Sequence, residues 1–279
     1  MSLPFKTASR SIKGARPYQE DAAVIWPDAH ASDQSPPAGQ LGAHTLIAVL
    51  ADGMGGHTGG ALASTTACTS FLHGYTTETA TVRDRLRAGL FAANHSIERK
   101  VEEKPALSGM GSTLVGTAFT AAGLEWVSVG DSPLYLFRRG EIALLNEDHS
   151  LAPALDEMAA TGKITAEQAK SDPRRHMLRS AVTGDELDLV DLSQKPLSLE
   201  DGDIILLASD GIHALQHDEL ARIIAAYAGD GPDAIADALI RGVEAIRDPH
   251  QDNTTVVVIA PDLIESTGHS SEQPSGTPT

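Results

Sequence analysis

Leu46-Ile47-Ala48-Val49-Leu50-Ala51-Asp52-Gly53-Met54-Gly55-Gly56-His57 joins an unbroken apolar run to a carboxylate and a glycine-rich turn. An apolar run of this length, closed by turn residues, reads as a strand buried on both faces, and glycine lets the backbone behind it turn or approach a ligand closely. Asp52 is therefore delivered to a rim by a buried strand, with no basic residue beside it in sequence. A carboxylate there must be paired, hydrogen-bonded or metal-bound, because desolvating it alone costs several kcal/mol. For a single Asp-Gly, a turn in which the Asp caps backbone amides would be the plainer reading. The pattern recurs, however: Ile204-Ile205-Leu206-Leu207-Ala208 runs into Ser209-Asp210-Gly211, and Leu124-Glu125-Trp126-Val127-Ser128-Val129 runs into Gly130-Asp131-Ser132. Asp252 opens a fourth, β-branched strand over residues 254–259.

Four acids gathered at strand ends would repel one another and can stay ionised together only around cations. Oxygen ligands without a Cys or paired-His motif favour Mg²⁺ or Mn²⁺ over zinc. Two such metals about 4 Å apart acidify bound water enough for attack on phosphorus near neutral pH. Upstream, Arg16-Pro17-Tyr18-Gln19-Glu20-Asp21-Ala22 adds a guanidinium, whose planar fork suits phosphate oxygens. Alone, that cluster would read as a surface ion-pair group of little energetic weight. Together these features point to a metal-dependent hydrolase.

Length and charge bound the rest. The chain has 279 residues, enough for one catalytic-sized domain of α/β or sandwich type. Its formal net charge of -17, with no basic patch beyond short pairs such as Arg138-Arg139, disfavours nucleic acid and anionic membranes as partners. The single cysteine, Cys68, excludes an intrachain disulfide and a multi-thiolate zinc site, and reads as a small core residue. With neither a run of about eighteen apolar residues nor an apolar N-terminal stretch, the protein is expected to be soluble and cytoplasmic.

The spacing predicts further elements. An exposed, Pro- and Ser-rich loop is expected over residues 27–42, and a helix of small residues over 61–72. A second helix carries Val82, Leu86, Leu90, Ala93, Ile97 and Val101 at helical spacing, with Thr81 as N-cap and Pro105 past its end. Strands over 113–119, 124–129, 134–137 and 141–145 read as one antiparallel meander, and a further strand is expected over 188–192. Residues 146–184 read as short helical pieces, with a capping box at Thr165 and Gln168. Two more helices bring Leu220, Ile223, Ile224 and Tyr227, then Ile235, Leu239 and Ile246, to their apolar faces. Residues 264–279 have the composition of a disordered tail.

These residues resemble those of a bacterial metal-dependent serine/threonine protein phosphatase of the PPM or PP2C type. Seven pieces match in family order over residues 16–255: Arg16 with Glu20-Asp21-Ala22, Asp52-Gly53-Met54-Gly55-Gly56-His57, Gly109-Met110-Gly111-Ser112-Thr113, Val129-Gly130-Asp131-Ser132, Asp148-His149-Ser150, Ser209-Asp210-Gly211 and Asp252-Asn253-Thr254-Thr255. The resemblance implies an α+β fold, a four-layer α-β-β-α sandwich of two antiparallel sheets spanning residues 1–263, with the metal site in a cleft at one end of the sheets and a flap at about 146–184. It implies two Mn²⁺ or Mg²⁺ ions, bridged by Asp52, with the Gly53 carbonyl on the first and Asp210 and Asp252 on the second. Glu20, beside Asp21 in the same metal-site set, would contact a metal through water. Asp131 matches the acid that helps hold a third, weaker metal, and Arg16 would bind the substrate phosphate.

The implied activity is hydrolysis of phosphoserine and phosphothreonine in proteins by direct attack of metal-activated water, in opposition to a Ser/Thr kinase, by a monomer. The alternatives are a phosphoprotein-binding module without turnover, which the complete set of acids disfavours, and a phosphodiesterase, which the acidic surface disfavours. Three positions depart from the family pattern. Pro133 stands where Arg is usual after Gly-Asp-Ser, Met54 where animal members place a His proposed as general acid, and Gly60 where bacterial relatives often have Glu. His57, His149, His176 and His213 are expected to be structural or solvent-facing rather than ligands.

Overall fold

A computed structural model describes residues 5–27, 45–55, 58–78 and 80–262. His57, the tail over 264–279 and all of the expected 27–42 loop except Pro27 lie outside the described residues. The strands are β1 (Phe5–Ile12), β2 (Asp21–Trp26), β3 (Leu46–Met54), β4 (Gly111–Ser112), β5 (Leu114–Thr120), β6 (Gly123–Val129), β7 (Leu134–Arg138), β8 (Glu141–Leu144), β9 (Asp191–Leu192), β10 (Ile204–Ala208) and β11 (Thr254–Pro261). The helices are α1 (Thr58–Thr77), α2 (Val82–Glu103), α3 (Ala152–Ala160), α4 (Ala166–Ser171), α5 (His217–Tyr227) and α6 (Pro232–Ile246).

One sheet runs β1-β11-β10-β7-β8 and the other β2-β3-β5-β6-β9, with β4 added beside β3. Every pairing is antiparallel. The period-2 alternation of strand side chains shows why β3 is apolar from Leu46 to Ala51. Leu46, Ala48 and Leu50 face the other sheet, where they meet Leu136, Leu207 and Val257. Ile47, Val49 and Ala51 face Ala67, Phe71, Leu90 and Ile97 of α1 and α2. On the far side, Leu206, Ala208, Val256 and Val258 pack on Leu220, Ile224, Ile235 and Leu239 of α5 and α6. The expected α-β-β-α order of layers is thus the observed one.

The helix signals read from the sequence are seen in detail. Thr81 accepts the Asp84 amide at the start of α2, and Thr165 with Gln168 forms both bonds of a capping box at α4. Cys68 is fully buried. Other expectations need correction. Residues 113–145 do not form one meander: β5 and β6 are a hairpin in one sheet, β7 and β8 a hairpin in the other. Gly130-Asp131-Ser132-Pro133 carries the chain between the sheets. Strand and turn signals are local, whereas sheet membership is set by distant partners, β9 for β6 and β10 for β7. The strand expected over 188–192 contracts to β9. Tyr227 and Ile246, expected on core faces, are 36% and 45% exposed, each being the last residue of its helix. Among the described residues no helix is long and apolar enough to cross a membrane.

Candidate metal and phosphate site

Strand register brings the acids to one end of the sandwich. Asp21, which opens β2, lies directly opposite Asp52 near the end of β3. Asp131 follows β6, Asp210 follows β10, and Asp252 precedes β11, whose first residues pair with the end of β1. Asp52 is fixed through its backbone: its amide donates to Thr113 Oγ1 at 2.9 Å, and its carbonyl accepts the Thr113 amide at 2.9 Å and Ser112 Oγ at 2.8 Å. Gly53 donates its amide to the Glu20 carbonyl at 3.2 Å, and a Cβ there would lie 2.6 Å from that oxygen. Only glycine permits so close an approach of the two chains. Gly60, which departs from the family pattern, matters here: a Cβ on it would run into the Glu20 carboxylate.

Ser209 ties the two sheets together beneath the acids. Its hydroxyl donates to Asp21 Oδ2 at 2.8 Å and accepts the Thr255 amide at 2.9 Å. Asp52 and Asp210 act on each other as like charges across the cleft. Burial, reinforced by Asp210, Asp21, Asp131 and Asp252, holds the Asp52 carboxyl well above the usual carboxylate range. Burial first, and then Asp210 and Asp148, push Asp131 up to about 7. Asp21 is pushed up to about 6 by burial, against the opposing Ser209 bond. Asp210 is raised by burial and by Asp252. Among the described residues Glu20 Oε1, Asp21 Oδ1 and Asp210 Oδ1 are buried without a hydrogen-bond partner. Unpartnered, desolvated carboxylate oxygens facing like charge are what hard divalent cations complement. Among the described residues no three His, Cys, Asp or Glu side chains stand grouped so as to hold a metal ion. The acids fit a cation by donor type and by orphaned oxygens, and are spread around the cleft rather than gathered at one point.

Arg16 is more than half exposed and donates through Nη2 to Asp252 Oδ2. Its loop is held by a residue the sequence reading did not single out. The buried Asn253 donates Nδ2 to the carbonyls of Lys13 at 2.8 Å and Tyr18 at 2.9 Å, while its Oδ1 accepts the Glu20 amide at 2.7 Å. The available signal was Asn253's place beside Asp252; its three partners lie more than 230 residues away in sequence. Pro133, in the place of the family's usual Arg, accepts the Ala208 amide at 3.1 Å through its carbonyl. His176 and His213 are exposed, as expected. His149 is buried and bound to the Gly130 backbone, which makes it structural. Residues 146–184 carry α3 and α4, whose packing is fastened by the Arg175–Asp156 ion pair at 2.8 Å.

A family model described as Protein phosphatase 2C matches residues 28–237. The chain belongs to the protein phosphatase 2C family. The matched span holds Asp52, Asp131 and Asp210, while Arg16, Glu20, Asp21 and Asp252 fall outside it and are joined to them by the fold. The chain is 36% identical over 215 residues to the serine/threonine protein phosphatase PstP of Mycobacterium tuberculosis, covering 76% of this chain and 40% of that protein. It therefore spans 40% of the length of the curated mycobacterial relatives it matches. The crystal structure of M. tuberculosis PstP/Ppp is similar with a TM-score of 0.72 and 29% identity, covering 92% of this chain and 98% of that one. The PstP catalytic domain in complex with two manganese ions gives a TM-score of 0.68 at 28% identity, covering 92% and 97%.

Proposed function

We propose that this chain is a metal-dependent protein phosphatase that hydrolyses phosphoserine and phosphothreonine in proteins. The observation that carries the reading is the set of half-buried carboxylates with raised proton affinity, drawn from both sheets, beside an exposed Arg16 on a backbone-anchored loop. Family membership and the two manganese ions of the PstP catalytic domain support it. Asp52 and the Gly53 carbonyl, with Asp210 and Asp252, would hold two divalent cations, Mn²⁺ or Mg²⁺. Glu20 and Asp21 would border them, and Asp131 would help hold a third, weaker one. When bound, the cations would supply Lewis acidity: they neutralise the acids and lower the pKa of water in the cleft.

The chain's own groups do the rest. Arg16 exchanges Asp252 for two phosphoryl oxygens of the monoester, which its fork matches. It thereby orients phosphorus for a single in-line displacement by water, giving inorganic phosphate and the free hydroxyl. With Met54 at the position of the animal members' His, the leaving alkoxide takes its proton from water or from another residue. The segment over 146–184 is assigned as a flap, and the catalytic domain as residues 1–263. The substrate is a phosphoprotein, a Ser/Thr kinase or one of its targets. We read the protein as a cytoplasmic monomer, a reading supported by the family resemblance and by the ATP-consuming kinases it would oppose.

The test is phosphate release from a phosphothreonine peptide after EDTA treatment and again with Mn²⁺ or Mg²⁺ restored. Metal-dependent turnover that falls by about 100-fold or more in Asp210→Asn supports the reading. Folded, metal-loaded wild type that releases nothing from several phosphopeptides overturns it, and preferential cleavage of bis-p-nitrophenyl phosphate would make the protein a diesterase.

A further inference from the structure

Asp131 occupies an unfavourable place. It is desolvated and faces Asp210, Asp148 and Asp252, which disfavour its ionised form there. Its position must be imposed from the backbone behind it. Gly130 turns there with φ +104, and a Cβ on it would lie 2.6 Å from the Thr113 side chain. Both polar groups of the Gly130 residue are taken by one partner. The His149 amide donates to the Gly130 carbonyl at 3.1 Å, and the Gly130 amide donates to His149 Nδ1 at 3.2 Å. The same His149 accepts the Arg179 amide on its carbonyl at 2.8 Å. Its neighbours Ser150 and Leu178 form a bridge, and Leu151 donates to Met177 at 3.0 Å. His149 thus joins the turn bearing Asp131 to both limbs of the 146–184 segment.

An imidazole that accepts at Nδ1 carries its proton on Nε2. His149 is 2% exposed, and among the described residues its Nε2 has no hydrogen-bond partner. The tautomer is therefore fixed by the Gly130 bond. Burial holds the His149 pKa below its usual value, in keeping with a neutral ring.

We propose that His149 is a positioning residue: as the neutral Nε2–H tautomer it clamps Gly130 at both backbone groups, fixes the aim of the Asp131 carboxylate, and so links the seating of the 146–184 segment to cation binding in the cleft. This rests on the reading of Asp131 as a cation ligand given above.

Two measurements on the full chain test it. In the metal-free wild type, long-range ¹H–¹⁵N NMR of His149 should show a protonated Nε2 and a bare Nδ1. A protonated Nδ1 overturns the clamp, since Gly130 could then not donate to it. Manganese titration calorimetry and amide hydrogen exchange should then compare His149→Leu with His149→Asn, whose Oδ1 stands close to the place of Nδ1. In His149→Leu the weakest class of Mn²⁺ sites should lose about tenfold in affinity, and the Gly130 amide should exchange correspondingly faster. His149→Asn should recover much of both. A folded His149→Leu with wild-type Mn²⁺ affinity and Gly130 protection, or an Asn variant no better than Leu, overturns the proposal. Should His149→Leu not fold, wild type and His149→Asn decide between the same outcomes. Hydrolysis of p-nitrophenyl phosphate by the wild type reports separately: its failure with the tautomer as expected sinks the phosphatase reading and leaves the clamp standing.

Discussion

Replacing Asp131 by Asn should stabilise the metal-free protein, and more so as pH rises. Asp131 has its pKa pushed from 3.8 to about 7, mainly by burial. The folded state then binds more protons than the unfolded state between pH 4 and 7, so stability falls as pH rises through that window. The deficit follows from about three pKa units at 1.36 kcal/mol each, or roughly 4 kcal/mol at pH 8 and about 1.5 kcal/mol at pH 5. Asn is close in shape and carries no charge, so Asp131→Asn should recover much of this. At about 2–4 °C per kcal/mol, its Tm advantage should grow by roughly 5–10 °C between pH 5 and 8. His149, whose pKa burial lowers, acts with the opposite sign below pH 6.5. Both proteins share it, so the difference between variant and wild type isolates Asp131. The assay is thermal denaturation of chelator-treated protein across that range, repeated with saturating Mn²⁺, which should erase the advantage at pH 8. A difference that is flat with pH, or a variant less stable than wild type at pH 8 without metal, would refute the placement of Asp131 among buried like charges.

Gly60→Ala puts a methyl group against the Glu20 carboxylate and 2.8 Å from the Gly53 carbonyl oxygen. Calorimetry should show Mn²⁺ affinity lowered about tenfold with an unchanged far-UV spectrum, and unaltered affinity would mean that Glu20 has no part in the site. Asn253→Leu removes three hydrogen bonds and leaves the Glu20 amide without its acceptor. Urea titration should show a loss of about 2–3 kcal/mol, and phosphopeptide KM should rise more than kcat falls because the Arg16 loop is no longer held. A normal KM would separate that loop from substrate binding.

What could be read in advance was local. The runs ending in Asp52 and Asp210 gave buried strands with an acid at the rim, since a strand covered on both faces must be apolar at every position. Thr81, Thr165 and Gln168 gave helix starts because capping bonds span only three residues. The seven pieces in family order added the sandwich and the proposed ligand set. The meander over 113–145 failed because two hairpins look alike whether or not they share a sheet. His149 and Asn253 stood within recognised pieces, yet nothing in their spacing revealed that one holds Gly130 and the other the Arg16 loop.

The sequence by itself determined the helices and most of the apolar strands, though not β1 or β4, that acids cap those strands, and that a guanidinium accompanies them, because propensity, periodicity and capping act over a few residues. Only the tertiary structure decided that β6 and β7 belong to opposite sheets, that Asp21 stands opposite Asp52, and that Ser209 joins the two sheets beneath them. Those facts depend on pairings between segments up to about two hundred residues apart, which are chosen by the burial of both sheet faces at once. The electrostatic character of the cleft belongs to the same level. An aspartate's proton affinity is set by the neighbours and the solvent that folding gives or takes away, and the chain order of those neighbours carries neither.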